Sequence, residues 1–191
     1  MGSRVFQDHA LSLLIGGGVL VLLLGVVTRT QEANVDTALR YDASQKSYGL
    51  VELIERDLMN IGVDGPAQPA ILAFDWAAAT PTFEFVTLGD TTAAAPSAQV
   101  RYALETVSAA DCLGDADPCY RFVRSVHDGT AYRPDYVSPP SITGLTLSPT
   151  PLTGDLDDIR TLAVKLHMEA PNTDTPITWD RLLSPPNLAY R

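Results

Sequence analysis

The chain has 191 residues, of which 46% are hydrophobic, and a formal net charge of −10 at pH 7. A chain of this length accommodates one domain of ordinary size beside any membrane segment. An acidic protein of this kind repels phosphate backbones, so we expect no nucleic-acid partner.

Residues 1–9 form a short polar head, and an apolar stretch follows over residues 10–27. Apart from Ser12, this stretch of eighteen residues, ALSLLIGGGVLVLLLGVV, contains no strongly polar group. A helix of that length spans about 27 Å, close to the hydrocarbon thickness of a bilayer. A buried core helix rarely needs so long an apolar run, and VVTRTQEANV offers no clean cleavage site for a signal peptidase. The stretch therefore predicts a retained membrane anchor.

Three consecutive glycines, Gly16, Gly17 and Gly18, lie in the middle of the apolar stretch. In a membrane, glycine lets neighbouring helices approach closely. We therefore predict that this helix packs on copies of itself or on partners through its large apolar side chains. These are Leu11, Leu13, Leu14, Ile15, Val19, Leu20, Leu22, Leu23, Leu24, Val26 and Val27.

The next stretch, residues 28–62, is predicted to be an amphipathic continuation of the same helix. No proline precedes Pro66, so we expect one helix from Ala10 to Ile61, about 78 Å long, with Gly62 as its C-cap. Residues 28–48 carry too few apolar side chains to be buried and are expected to protrude as a stalk. Apolar residues at spacings of three and four near the helix end share one face and are predicted to pack against a sheet. They are Leu50, Leu53, Ile54, Leu58 and Ile61.

The charged residues of this last helical part, Glu52, Glu55, Arg56 and Asp57, are expected mostly on the opposite face. Residues 63–191 are predicted to form an exported β-rich domain, because short β-like runs alternate with Pro, Gly, Asp and Thr. The predicted strands cover residues 71–76, 82–88, 99–105, 120–126, 141–147 and 159–168, with a last one from Ile177 to Trp179 or Leu183. The fold class is α+β, with an antiparallel sheet packed on the C-terminal end of the long helix.

The two cysteines, Cys112 and Cys119, stand close together in the turn-rich sequence DCLGDADPCY. In an exported domain this spacing predicts a disulfide that closes a short loop, whereas in the cytosol both thiols would be free. A metal site needs more ligands than this pair supplies. One arginine stands on each side of the apolar stretch, Arg4 before it and Arg29 after it, so the positive-inside rule gives only a weak signal for the orientation in the membrane. The cysteine pair and the net negative charge of the remaining chain favour export of residues 29–191.

The sequence contains no nucleophile elbow, zinc-protease motif, phosphate-binding glycine loop or dinucleotide fingerprint. We therefore predict no enzymatic activity, cofactor or metal site. The three histidines, His9, His127 and His167, stand in unrelated settings. Two acidic turns could hold calcium, but neither has the spacing of an EF-hand loop, and a solvated turn is the commoner interpretation. The first acidic turn contains Asp111, Asp115 and Asp117, and the second contains Asp155, Asp157 and Asp158. Tyr132 and Tyr136 in YRPDYVSPP belong either to a recognition loop or to a packed segment.

An N-terminal helix that is first apolar and then amphipathic, followed by an antiparallel sheet, resembles the type IV pilins. Within that superfamily the chain looks most like PilW-type minor pilins and J-type pseudopilins of type II secretion. The stretches that carry the resemblance are LVELIERDLMNIGVDGP, TFEFVTLGD, QVRYALE, CYRFVRSV, SITGLTLS, IRTLAVKLHMEAP and ITWDRLLSPPNL. The chain differs from the family in having no Gly-Phe junction for the prepilin peptidase and no glutamate early in the apolar run; the nearest acid is Asp8.

The resemblance implies a structural subunit, minor or major, of an extracellular filament or pseudopilus. Its partners would be copies of itself or other pilin-like subunits, and it would reside in the inner membrane before assembly. The alternative is a single-pass membrane-anchored periplasmic or surface binding module that does not polymerise. An anchored hydrolase is a third possibility, but it lacks a catalytic constellation.

Overall fold

The fold is taken from a computed structural model, which describes residues 2–63, 69–88, 97–112, 118–151, 155–169 and 176–188. The chain divides into two units, Met1–Leu39 and Arg40–Arg191, and the helix α1, Gly2–Met59, runs through both. The helix is thus continuous across the predicted apolar and amphipathic parts. Gly62 adopts a left-handed φ of 77°, and its N–H donates to the carbonyl of Val86 at 2.8 Å. Glycine accepts this φ without steric cost, so Gly62 supplies the turn that follows α1, which ends at Met59, two residues before the predicted Ile61.

The C-terminal unit contains an antiparallel sheet with the order β1-β2-β3-β4-β6-β7-β8, and β5 pairs with β4 beside this path. Its described strands are β1 Ile71–Asp75, β2 Thr82–Leu88, β3 Ser97–Val107, β4 Cys119–His127, β5 Tyr132–Val137, β6 Ile142–Thr150, β7 Thr161–Met168 and β8 Ile177–Leu183. Short 3-10 helices lie at Ala109–Asp111, Leu156–Asp158 and Pro186–Leu188. The α+β class predicted from the sequence is confirmed.

The sheet branches at β4. The C-terminal half of β4 pairs with β5, for example Val123 with Val137, whereas the β4 residue Tyr120 pairs with Ile142 of β6. The sequence analysis missed β5 because Pro134 and Asp135 are typical of a turn. An edge strand tolerates proline, since the missing N–H can face away from the neighbouring strand. The other predicted strands are present, with ends that differ by up to three residues.

The core lies between the sheet and the last part of α1. Four of the five predicted helix residues, Leu50, Ile54, Leu58 and Ile61, are fully buried among sheet side chains, while Leu53 is only half-buried. Burial of each such side chain contributes about 1.5–3 kcal/mol. On the facing side, four aromatic rings form a row along β2 and across β3 and β4, with centroid distances of 4.7–4.9 Å between successive rings. These rings belong to Phe83, Phe85, Tyr102 and Phe122.

Candidate assembly and anchoring segment

The apolar N-terminal part of α1 carries an unbroken apolar surface. From Leu13 to Val27, the large apolar side chains are 50–78% exposed, and they include Val21, which the sequence analysis did not select. The side chain of the selected Leu11 lies outside the described residues. The helical segment Ser12–Leu39 is long and apolar enough to cross a membrane, and none of its apolar window is buried in the structure. Apolar surface on this scale marks a membrane or protein interaction site.

The glycines of this segment have open surroundings. A Cβ atom added at Gly16, Gly17, Gly18 or Gly25 would have no heavy atom of a neighbouring element within 4 Å. Each glycine nevertheless costs helix stability of about 1 kcal/mol relative to alanine. Within the described part of the chain, no packing contact therefore explains these glycines. Because they have no side chains, these glycines leave shallow depressions in the helix surface, at which another helix could approach closely.

The apolar surface ends with two threonines whose hydroxyl groups are bonded inside the helix. Thr28 Oγ1 donates to the carbonyl of Leu24 at 2.8 Å, and Thr30 Oγ1 donates to that of Val26 at 2.8 Å. Such bonds satisfy the hydroxyl hydrogens without water, so these residues are compatible with an apolar environment. Charged groups begin at Arg29 and continue with Glu32 and Asp36.

The junction between α1 and the sheet contains an ionic cluster, which we define as Asp57, Arg124, Tyr102 and Asp135. The first three side chains are buried, and that of Asp135 is half-exposed. Arg124 Nε donates to Asp57 Oδ2 at 2.5 Å, and the Tyr102 hydroxyl donates to the same oxygen at 3.0 Å. Arg124 Nη1 also donates to Asp135 on β5. Burial, together with the neighbouring Asp57 carboxylate, raises the pKa of Tyr102 well above its ordinary value. The phenol therefore stays protonated and acts as a donor to Asp57.

The expected position of Asp57 on the polar face of α1 is wrong for this residue. Asp57 lies three residues after Ile54 and four before Ile61, so the helical period places it on the buried face. This spacing in the sequence was the signal that could have predicted the burial of Asp57. Glu52 is exposed as expected, and Glu55 forms a partly exposed pair with Arg181 of β8 at 3.7 Å.

The predicted disulfide between Cys112 and Cys119 is present. Cys119 is buried at the start of β4, and Cys112 directly follows the 3-10 helix Ala109–Asp111. The bond therefore ties a loop to the sheet. Residues 113–117 between them lie outside the described part, so the acidic residues Asp115 and Asp117 cannot be placed.

The acidic residues that can be placed take part in local hydrogen bonds. Asp111 accepts from the Ser108 hydroxyl at 2.6 Å, and the Asp155 side chain accepts from the N–H of Asp157 at 3.0 Å. Within the described ranges, no group of three or more His, Cys, Asp or Glu residues could hold a metal ion. The predictions of no cofactor and no enzymatic activity stay predictions.

The segment YRPDYVSPP contributes a packed strand, since Tyr132 and Tyr136 both belong to β5. The Tyr132 hydroxyl donates to Glu84 at 3.0 Å, and the guanidinium carbon of Arg101 lies 3.8 Å from the centre of the Tyr132 ring. Burial and the Glu84 bond raise the pKa of Tyr132 to about 12. Tyr136 is half-buried against Phe122, with a centroid distance of 6.4 Å. Of the two alternatives left open by the sequence, the packed segment agrees with these contacts.

No protein-family model, curated protein or solved structure matches this chain. What the chain shares with pilins is an N-terminal apolar helix followed by an antiparallel sheet and a disulfide. This likeness is one of general architecture.

Proposed function

We propose that the chain is a pilin-like structural subunit that inserts into a membrane through residues 10–27 and then assembles through the same segment into an extracellular filament or pseudopilus. The observation that carries the proposal is the exposed apolar surface from Leu13 to Val27. The same helix contributes Leu50, Ile54 and Leu58 to the core of the sheet domain. One element thus provides both an apolar attachment surface and part of a folded domain.

Lipid alone could cover the apolar side chains, but it does not account for the four open glycines. Gly16, Gly17, Gly18 and Gly25 weaken the helix and contact no neighbouring element in the described chain. A closely packed helix of another subunit would gain van der Waals contacts at these places. Assembly therefore explains a feature that anchoring leaves without a role.

Export of the sheet domain agrees with two further features. The disulfide between Cys112 and Cys119 is of a kind that persists in oxidising compartments. The net charge of −10 lies outside residues 1–28, where Arg4 and Asp8 cancel, and such charge favours solubility of the exposed domain. The partners in this proposal are copies of the chain or other pilin-like subunits.

Two variants separate assembly from anchoring. In the first, Ala10–Val27 is deleted; in the second, the same residues are replaced by a polyleucine span of equal length, which keeps the membrane anchor. Surface material is sheared from cells and its protein content is identified by peptide mass fingerprinting. We expect the full-length chain in sheared fibres and neither variant there.

Entry of the polyleucine variant into fibres would show that residues 10–27 only anchor the chain. A full-length chain that stays monomeric in detergent and never enters sheared material would favour the membrane-anchored binding module. Entry of the deletion variant into fibres would refute assembly through this helix.

A further inference from the structure

The first charged residues after the apolar surface are arranged on one side of α1. Arg29, Glu32 and Asp36 are exposed, and none of their side chains forms an ion pair or hydrogen bond within the described part of the chain. At about 100° per residue, Arg29 and Asp36 differ by roughly 20° around the helix axis, and Glu32 lies within about 60° of both. The helix thus presents a basic group followed by two acidic groups on one side.

The apolar segment cannot by itself fix how far one helix is shifted along another. Hydrophobic attraction is not directional, and no charged residue lies between His9 and Arg29. In coiled coils, polar groups beside an apolar seam set the register and the partner. The charges that follow Val27 are therefore the nearest groups able to set the register of an assembly.

Two parallel copies without an axial shift would place Arg29 beside Arg29 and Asp36 beside Asp36. Like charges at such positions repel one another. A shift of seven residues, about 10.5 Å, brings Arg29 of one copy to the level of Asp36 of the next. Glu32 of that second copy then lies about 6 Å from the level of this pair, toward the N-terminus, and attracts Arg29 of the first copy at longer range.

We propose that the occupant of this helix face is a second, parallel copy of the chain, shifted by about 10.5 Å so that Arg29 of one copy pairs with Asp36 of the other. The inference rests on the proposed assembly function and adds its register. The pair leaves Asp36 of the first copy and Arg29 of the second outside the contact, so it fixes the axial shift between two neighbouring copies.

Charge reversal tests the pairing in the full-length chain. A tagged and an untagged copy, both carrying the same substitution, are produced together in membranes, and the amount of untagged chain recovered with the tagged chain is measured. We expect Arg29→Glu and Asp36→Arg to lower recovery at least five-fold each. The double variant, which keeps the net charge of the natural chain, should restore recovery to within two-fold. Glu52→Arg, at an exposed residue of α1 in the C-terminal unit, serves as the control and should leave recovery unchanged.

Cysteine cross-linking measures the shift while it retains all three charges. Val26→Cys is placed in one copy and Ala33→Cys in the other, seven residues apart and both exposed. Cys112 and Cys119 are bonded to each other, so the introduced thiols are free to react. We expect the mixed 26–33 cross-link to exceed the 26–26 and 33–33 cross-links several-fold.

Equal or dominant same-position cross-links would overturn the proposed register. If copies associate but the single reversals leave recovery unchanged, the Arg29–Asp36 pairing is wrong while the assembly function stands. If tagged and untagged copies do not associate even in the natural sequence, the register and assembly from copies of this chain are both wrong, and the sheared-fibre experiment decides whether the chain assembles with other pilin-like subunits.

Discussion

Arg124 Nε lies 2.5 Å from Asp57 Oδ2, and this buried contact joins β4 to the last turn of α1. The two side chains are only 7% and 2% exposed. A buried ion pair adds little net stability over a well-packed apolar pair, but loss of one partner leaves an uncompensated charge. We infer that the contact selects one rotation of α1 against the sheet.

The first prediction concerns Asp57. Asp57→Asn leaves the Arg124 guanidinium paired only with the half-exposed Asp135, so we expect a loss of about 3 kcal/mol in the free energy of unfolding. Urea unfolding of the full-length chain in detergent measures it. Glu55→Gln is the control, because its pair with Arg181 is exposed at 3.7 Å and should cost less than about 0.5 kcal/mol. Equal effects of the two substitutions would contradict a special role of the buried pair.

The second prediction concerns Asp135 and acidic pH. Burial raises the pKa of the Asp135 carboxyl, although the Arg124 guanidinium opposes this effect. A carboxyl with a raised folded pKa stabilises the fold below its unfolded pKa of about 3.9 and loses that contribution as the pH rises through the folded pKa. Ionisation of Asp135 should therefore lower the free energy of unfolding of the natural chain as the pH rises from about 4. In Asp135→Asn this decrease should be smaller. Urea midpoints over a pH series measure this, and parallel profiles of variant and natural chain would contradict it.

The third prediction concerns Tyr102 and alkaline pH. Its hydroxyl donates to a charged carboxylate, so Tyr102→Phe should cost about 1.5–3 kcal/mol at pH 7. Because the folded pKa of Tyr102 is raised above 10, its linked contribution is present below pH 10 and is lost as the pH rises further. The stability of the variant should thus fall less steeply above pH 10. Tyr48→Phe, at an exposed tyrosine, is the matched control, and identical profiles for Tyr102→Phe and the natural chain would sink the assignment.

The fourth prediction concerns the disulfide. Replacement of both Cys112 and Cys119 by serine removes the closure of a loop with a sequence separation of 7, which should cost about 2–3 kcal/mol on the loop-entropy account. Thermal unfolding of the two proteins measures the difference. In protein taken from the exported compartment, a thiol reagent applied without reduction should label neither cysteine. Labelling of both cysteines would contradict both the bond and export.

Much of the fold could be predicted from periodicity. Alternation of Leu162, Val164 and Leu166 predicted β7, and the spacing of Leu50, Ile54 and Leu58 predicted the buried helix face. β5 was missed because Pro134 lowers strand propensity along the sequence, whereas its tolerance at a sheet edge depends on tertiary pairing.

Asp57 shows a second limit of sequence reasoning. Its helical position indicated the buried face, but a charge is buried only when a partner exists, and Arg124 lies 67 residues away in the chain. Binary polarity patterns carry no information about such a distant partner. The apolar segment was the most predictable part of the candidate site, because eighteen residues without a charge need no tertiary information to be recognised.

The most direct test of the account is photo-cross-linking from inside the apolar segment. A photoreactive amino acid replaces Leu22, which is highly exposed in the structure, in the full-length chain in its native membrane or filament. Adducts are then separated into protein and lipid species by mass spectrometry. The account predicts adducts to a second copy or to another pilin-like subunit. Adducts to lipid alone would contradict assembly through this helix.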